Sequence, residues 1–235
     1  LKIRDSVKSL VDNCLPDCII HCAAYVPRKP SDYQNDLLGK SNVLMAQNIL
    51  EASNCPIIYI SSMTVYGSSP SAPVYETEMC IPENHYAKSK FDCEFMIKES
   101  GRAGLAIRIP GLFGMPRQSG LVYNLISSAL TGDEVTLPQA PVSWAGIHVA
   151  DAAKRIVDLL PKATNSFSEI NIGCSGKISV NHLINLVNDI FESNIETTIN
   201  HPVFEFDLTR YQTLTSLPAA NLRQSLENFG DEIDI

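Results

Sequence analysis

Two side chains near the middle of the 235-residue chain are spaced for proton transfer. Tyr86 and Lys90 stand four residues apart, so on a helix they share one face about one turn from each other. A tyrosine pKa near 10 makes a poor base at neutral pH, and lowering it to about 7 requires roughly 4 kcal/mol. One positive charge at about 4 Å contributes roughly that amount at an effective dielectric constant of about 20. The spacing therefore predicts that Lys90 activates Tyr86 as an acid or base.

A second pair of polar residues closes a short apolar run. Ser61 and Ser62 follow the stretch Pro56–Ile60, which is typical of a buried strand. Ligands of open α/β sheets bind at the carboxyl ends of the strands, so hydroxyls at this point face a ligand. Ser62 is predicted to hydrogen-bond the substrate oxygen that gains or loses a proton. The alternative is that both serines only satisfy a turn.

Short apolar runs alternate with longer amphipathic segments, a pattern that predicts an α/β fold with a parallel sheet covered by helices. Predicted strands cover residues 17–22, 56–61, 105–109, 134–137, 141–144 and 168–172. Predicted helices cover residues 31–53, 85–100, 121–130, 148–160, 180–191 and 220–229. We expect a first domain over residues 1–114, and a mixed region over 115–235 that holds a smaller substrate lobe and the last elements of the sheet.

Several short blocks resemble, in the same order, the extended short-chain dehydrogenase/reductase family of NAD(P)-dependent epimerases and dehydratases, which mostly act on nucleotide sugars. The blocks are Pro16-Asp17-Cys-Ile-Ile-His21-Cys-Ala23-Ala24, Asn42-Val43, Ser61-Ser62-x-x-Val65-Tyr66-Gly67, Tyr86-x-x-x-Lys90, Arg108-Ile-Pro110-Gly111-x-x-Gly114, His148-Val-x-Asp151 and Asn171-Ile-Gly173. The resemblance covers residues 17–114 and continues more weakly to Phe229. It implies a Rossmann-type doubly wound parallel sheet.

The resemblance also implies a role for each site residue. Tyr86 is the catalytic acid or base, Lys90 binds the nicotinamide ribose and lowers the Tyr86 pKa, and Ser62 steadies the reacting oxygen. The implied cofactor is NAD or NADP, and the residues that bind it are Cys22, Ala23, Ala24, Asn42, Ser61, Tyr86, Lys90 and Pro110.

The implied reaction is hydride transfer at a hydroxyl or carbonyl carbon of a sugar-nucleotide-like substrate. Dehydratases of the family commonly carry acidic residues after the serine, whereas Met63 and Thr64 follow Ser62 here. An epimerase or a reductase is therefore favoured.

One part of the family's pattern does not occur. No G-x-G-x-x-G is present, and nothing before Asp17 forms the strand, glycine-rich turn and helix that take a pyrophosphate. We therefore expect an N-terminally truncated sheet, and weak or no NAD(P) binding by residues 1–235 alone. Two other hypotheses stay open: a cofactor-less, non-catalytic scaffold or binding protein of the same fold, and a fragment of a complete enzyme.

The composition bears on which partners the chain can bind and on the cellular compartment that suits it. The formal net charge is −8 and no Lys/Arg run occurs, which disfavours nucleic acid, and no apolar stretch approaches the roughly 20 residues of a membrane span. Seven cysteines without a C-x-x-C pair favour the reducing cytoplasm and no metal. Cys14, Cys18 and Cys22 recur every four residues, but they are better explained as small apolar residues than as metal ligands. The predicted partner is a small-molecule substrate, with a homodimer left open.

Overall fold

The computed structural model describes residues 1–68, 70, 72–163 and 166–233. In chain order, the α-helices α1 to α8 are Arg4–Cys14, Asp36–Ala52, His85–Glu99, Leu121–Thr131, Val149–Asp158, Val180–Phe191, Thr209–Leu214 and Leu222–Glu232. The strands β1 to β6 are Ile19–His21, Ile57–Ser62, Gly104–Ile109, Gly111–Phe113, Gly146–His148 and Ser168–Asn171. Short 3₁₀ helices cover Pro30–Gln34, Met63–Tyr66 and Leu160–Lys162.

These elements form two compact units. The first unit comprises Leu1–Gly67, Glu76–Arg108 and Asp158–Ile170, and the second comprises Ser68–Tyr75, Ile109–Val157 and Asn171–Ile235. The chain passes between the units several times, whereas the sequence suggested one boundary near residue 114.

The sheet of the first unit has the strand order β1-β2-β3-β6. Strands β1 and β2 are parallel, and the register pairs Ile19 with Ile57 and His21 with Tyr59. Both strands therefore end at the same edge of the sheet. One face of β2 packs on a core formed with helices α1, α2 and α3; its buried members are Val7, Ala46, Ile49, Ile57, Tyr59, Cys93 and Ile97.

Two helices of the first unit begin at asparagine caps and cross closely. The Asn35 side chain accepts hydrogen bonds from the backbone N–H groups of Leu37 and Leu38, and α2 begins there. The Asn84 side chain accepts a hydrogen bond from Ala87 N at 2.9 Å. Asn84 therefore caps α3, which begins at His85, next to Tyr86. A Cβ added at Gly39 would lie 2.9 Å from the carbonyl oxygen of His85, so only glycine allows α2 to approach the start of α3 this closely.

The second unit contains a two-stranded parallel sheet, β4 with β5, whose register pairs Phe113 with His148. Helix α6 contacts both α4 and α8, and α8 also contacts β5. Phe229 of α8 is fully buried and lies against the rings of Phe113 and His148. These contacts give the unit a core of its own.

The α/β class with a parallel sheet and covering helices is confirmed, and helix 180–191 was predicted to the residue. The helix predicted over 31–53 instead breaks at Asn35 into a 3₁₀ helix and α2. The strands predicted over 134–137 and 141–144 are wrong, since that stretch is irregular. Pro138 and Pro141 lack a ladder donor, and Val142 N donates to His201 Nδ1 rather than to a strand. No element was predicted before Asp17, where α1 packs on α2.

Candidate active site

Ser62 ends strand β2 and begins a tight turn. Its side chain caps the 3₁₀ helix Met63–Tyr66 by accepting a hydrogen bond from Thr64 N at 3.3 Å. The Thr64 hydroxyl donates a second hydrogen bond to Ser62 Oγ at 3.0 Å. The hydroxyl at the carboxyl end of the strand is thus held by the chain that follows it.

The Tyr86 phenol lies near this hydroxyl. Tyr86 lies in the first turn of α3, and an interaction with the Ser62 side chain lowers the pKa of its phenol. The ring of Tyr33, from the 3₁₀ helix Pro30–Gln34, stands edge-on to the Tyr86 ring with the ring centres 6.1 Å apart. Helix α3 and strand β2 therefore bring Ser62 and Tyr86 together, as their sequence positions suggested.

Lys90 lies one turn further along α3 and is 3% exposed. Its Nζ donates a hydrogen bond to the carbonyl oxygen of Ile60 at 2.7 Å. The same nitrogen lies 4.9 Å from the centre of the Tyr59 ring and 5.8 Å from that of the Tyr86 ring. An ammonium group has three N–H donors, so two of those of Lys90 are not used by Ile60.

The two titratable groups have perturbed pKa values. Burial, followed by the nearby Tyr33 phenol, raises the pKa of Tyr86 to about 12, although the interaction with Ser62 acts in the opposite direction. Burial lowers the pKa of Lys90 to about 8, while Cys93, Cys22 and Glu94 favour its charged form. A phenol with this pKa is protonated at neutral pH and can donate a proton. The activation of Tyr86 by Lys90 stays a prediction.

Asn42 is buried and holds the loop that follows β1. Its Oδ1 accepts from Tyr25 N at 2.7 Å, and its Nδ2 donates to Tyr25 O and to Ser89 Oγ, each at 3.2 Å. The loop begins with exposed Cys22 and Ala23. Asn42 thus fixes the backbone next to these residues, and its own polar atoms are occupied by the protein.

The Ser61 hydroxyl has a different partner from the Ser62 hydroxyl. Its Oγ donates a hydrogen bond to the carboxylate of Glu94, which also pairs with Arg108. Glu94, Arg108 and Tyr33 were not predicted as part of the site. The sequence carried a signal for two of them: the spacing of Glu94, four residues after Lys90, and the place of Arg108 at the start of one of the family blocks. Pro110 is buried in the second unit near Gly173, and its position beside a nicotinamide stays a prediction.

The donor set fits one end of the implied cofactor. The Lys90 N–H donors that Ile60 does not use and the Tyr86 phenol have the chemistry to hydrogen-bond ribose hydroxyls, and Cys22 and Ala23 at the end of β1 are exposed. Nothing in the described residues offers a glycine-rich turn and helix start for a pyrophosphate. The residues present fit the nicotinamide–ribose end of NAD(P).

Two other kinds of site were sought in the described ranges. No three His, Cys, Asp or Glu side chains there lie close enough to hold a metal ion. None of the helices in those ranges has both the length and the hydropathy needed to cross a bilayer.

Comparison with known proteins gives matches of two kinds. The profile of the RmlD substrate binding domain matches residues 1–191. Among curated proteins, methionine adenosyltransferase 2 subunit beta of Xenopus laevis is 32% identical over 115 residues, which is 46% of this chain and 33% of that protein. The dTDP-4-dehydrorhamnose reductase of Aggregatibacter actinomycetemcomitans is 27% identical over 114 residues, 47% of this chain and 39% of that protein. The matches thus span between a third and two fifths of these relatives.

Solved structures resemble almost the whole chain. UDP-glucose 4-epimerase from Thermotoga maritima, solved with UDP-glucose, has a TM-score of 0.80 at 21% identity, covering 98% of this chain and 81% of that one. UDP-N-acetylglucosamine 4-epimerase from Bacillus cereus has a TM-score of 0.77 at 20% identity, covering 98% and 82%. At this level of identity the likeness shows the fold.

Proposed function

Because the chain belongs to the RmlD substrate-binding-domain family, we propose that it serves an NAD(P)-dependent reductase or epimerase that transfers hydride at a hydroxyl or carbonyl carbon of a nucleotide-sugar-like substrate. The family-level resemblance noted in the sequence is confirmed by the same match. The observation that carries the proposal is that Ser62, Tyr86 and Lys90 come together at the carboxyl end of β2, with the buried Lys90 Nζ bonded to Ile60 O and 5.8 Å from the Tyr86 ring centre. The names of the relatives, a dTDP-sugar reductase and UDP-sugar epimerases, support the substrate class.

The chain's own residues would handle the proton. When bound, the reduced cofactor supplies a hydride to a carbonyl carbon. Tyr86 donates its proton to the carbonyl oxygen as that oxygen becomes a hydroxyl, and Ser62 hydrogen-bonds the same oxygen. Lys90 holds ribose hydroxyls with the donors that Ile60 leaves free.

Tyr86 must be protonated before a reduction and deprotonated before an oxidation. A phenol with a pKa of about 12 is protonated at neutral pH, as a proton donor must be. Oxidation would need this pKa near 7, a change of roughly 7 kcal/mol. One positive charge at about 4 Å contributes only about 4 kcal/mol. One charge alone therefore does not stabilise the Tyr86 phenolate, which is formed in the reduction and required in the oxidation.

The test uses the purified gene product. Oxidation of NADH and NADPH would be followed by absorbance with dTDP- and UDP-4-keto sugars. Tyr86→Phe should lower kcat by about 10²–10⁴-fold with little change in stability, since the ring stays. Tyr75→Phe, which alters an exposed tyrosine, is the control and should keep the parent rate. Equal rates in Tyr86→Phe and the parent would remove Tyr86 from the chemistry.

A second candidate is a non-catalytic binding subunit. Five of the curated relatives are named methionine adenosyltransferase 2 subunit beta. A binding subunit needs no proton transfer, so Tyr86→Phe would leave its function unchanged. Calorimetric titration with methionine adenosyltransferase catalytic subunits separates the two: tight binding without turnover on any keto sugar supports the subunit, and turnover without binding supports the enzyme.

A further inference from the structure

A buried ion pair lies next to the site without belonging to the groups assigned to proton transfer. Glu94 of α3 and Arg108 of β3 each have side chains only 3% exposed. Arg108 Nη2 donates to Glu94 Oε2 at 2.7 Å, and its Nε lies 3.1 and 3.2 Å from the two carboxylate oxygens. Such fork-like geometry fixes orientation as well as distance.

Further hydrogen bonds join this pair to both sides of Ser62. On one side, the hydroxyl of Ser61 donates to the Glu94 carboxylate. On the other, Arg108 Nη1 donates to the Tyr66 hydroxyl at 3.0 Å, at the end of the 3₁₀ helix that Ser62 caps. The residues at either end of the Ser62 turn are therefore fastened to one buried ion pair.

The pair also bears on the helix that carries the proton donor. Tyr86, Lys90 and Glu94 are spaced by four residues and share the face of α3 that meets the sheet. The Glu94 carboxylate favours the charged form of Lys90. One anchor thus connects the turn that presents Ser62 with the helix that presents Tyr86 and Lys90.

We propose that Glu94 and Arg108 are positioning residues that set the approach of Ser62 to Tyr86, a role that rests on the proposed hydride-transfer function. Both side chains are 3% exposed, so they act through the protein groups that they hold. Their effect is to hold the end of β2 and the start of α3 at the separation that keeps the Ser62 and Tyr86 hydroxyls together. Small displacements of such groups cost about 100-fold in rate.

The test removes both charges together, because a single substitution leaves a buried charge unpaired. The double variant Glu94→Gln with Arg108→Met keeps similar side-chain volumes. We expect kcat to fall about 100-fold while KM changes less than about threefold, since the substrate-binding groups are untouched. The matched control is the double variant Asp151→Asn with Arg155→Met, which removes the buried arginine's ion pair in the second unit.

The control shows how much kcat changes when only stability is lost. It should lower the melting temperature by a similar amount and keep the parent kcat. A site variant with the parent kcat, or a control that loses as much kcat at equal stability, would overturn the positioning role.

A readout without turnover keeps this inference separate from the proposed function. If the gene product reduces no keto sugar, the proposed function fails, and a crystal structure of the site variant decides the positioning role. A Ser62 Oγ–Tyr86 Oη separation longer than in a crystal of the parent supports it. An unchanged separation overturns it.

Discussion

Among the described residues, each unit contains a buried arginine that pairs with a carboxylate, and the two pairs are built differently. In the first unit, Arg108 and Glu94 come from a strand and a helix, and their contacts extend to Ser61 and Tyr66. In the second unit, Arg155 pairs with Asp151, four residues earlier on the same helix, at 3.4 Å.

The second pair fastens helices. Arg155 Nη1 also donates to the Asp151 carbonyl oxygen and Nη2 to that of Pro218, while Ser225 of α8 donates to Asp151 Oδ2 at 2.7 Å. Arg155 Nε has no partner among the described residues. Burial and Asp151 raise the pKa of neighbouring Cys174 to about 12, which keeps its thiol protonated. An arginine–carboxylate pair therefore holds helices together in the second unit, whereas in the first unit it holds the turn at the end of β2.

The largest expected effect comes from breaking the first pair at one partner. Glu94→Leu leaves the Arg108 charge buried without a counter-ion and should cost about 3–5 kcal/mol of unfolding free energy. Urea unfolding followed by circular dichroism measures it. A loss below about 1 kcal/mol would mean that water or another acid replaces Glu94.

The second prediction tests whether Ser62, in the turn held by Glu94 and Arg108, takes part in the reaction. Ser62→Ala removes a hydrogen-bond donor to the developing charge and should lower kcat by about 10²–10³-fold. Steady-state assays on the gene product measure it, with Ser225→Ala as the control, because Ser225 hydrogen-bonds only within the second pair's surroundings. A similar loss of kcat in Ser62→Ala and Ser225→Ala would show that the turn in the first unit has no special role in the chemistry.

Acid should weaken the first unit through His21. Burial, followed by the Lys90 charge, lowers its pKa to about 4 from 6.5, and its Nδ1 has no partner among the described residues. As the pH falls below about 6.5 the unfolded state binds the proton first, so about 3 kcal/mol is present above that pH and lost towards pH 4. His21→Phe should reduce this loss in urea titrations at pH 7 and 4.5. His182→Gln, at an exposed histidine, should leave it unchanged.

Breaking the second pair should cost less than breaking the first. In Asp151→Asn, Arg155 keeps its hydrogen bonds to two carbonyl oxygens, so we expect a loss of about 1–2 kcal/mol with kcat unchanged. The same urea titration and rate assay measure both. A loss as large as that of Glu94→Leu would show that the two pairs are equivalent.

The smallest effect concerns the cap of the helix that carries Tyr86. Asn84→Ala removes the hydrogen bond to Ala87 N and should cost about 1 kcal/mol. Asn221→Ala, at the equivalent cap of α8, should cost a similar amount. Only Asn84→Ala should also lower kcat. Equal kcat values in the two variants would show that the cap of α3 does not affect the active site.

Local features were predictable from the sequence because they depend on neighbouring residues. The apolar run before Ser61 and Ser62 predicted β2, and helical spacing predicted α3 and the shared face of Tyr86 and Lys90. Both follow from the repeat of one element. The family resemblance, which rests on short blocks of this kind, predicted the fold class as well.

Tertiary structure decided which polar groups meet. Glu94 and Arg108 lie 14 positions apart, and Asn42 bonds Tyr25 from 17 positions away, so no local periodicity links either pair. The Tyr86 pKa likewise depends on burial and on Tyr33, which the fold brings to it from another element. A side chain's spacing along a helix is set by its own sequence, but its partners and its desolvation are set by whatever the other strands and helices place against it.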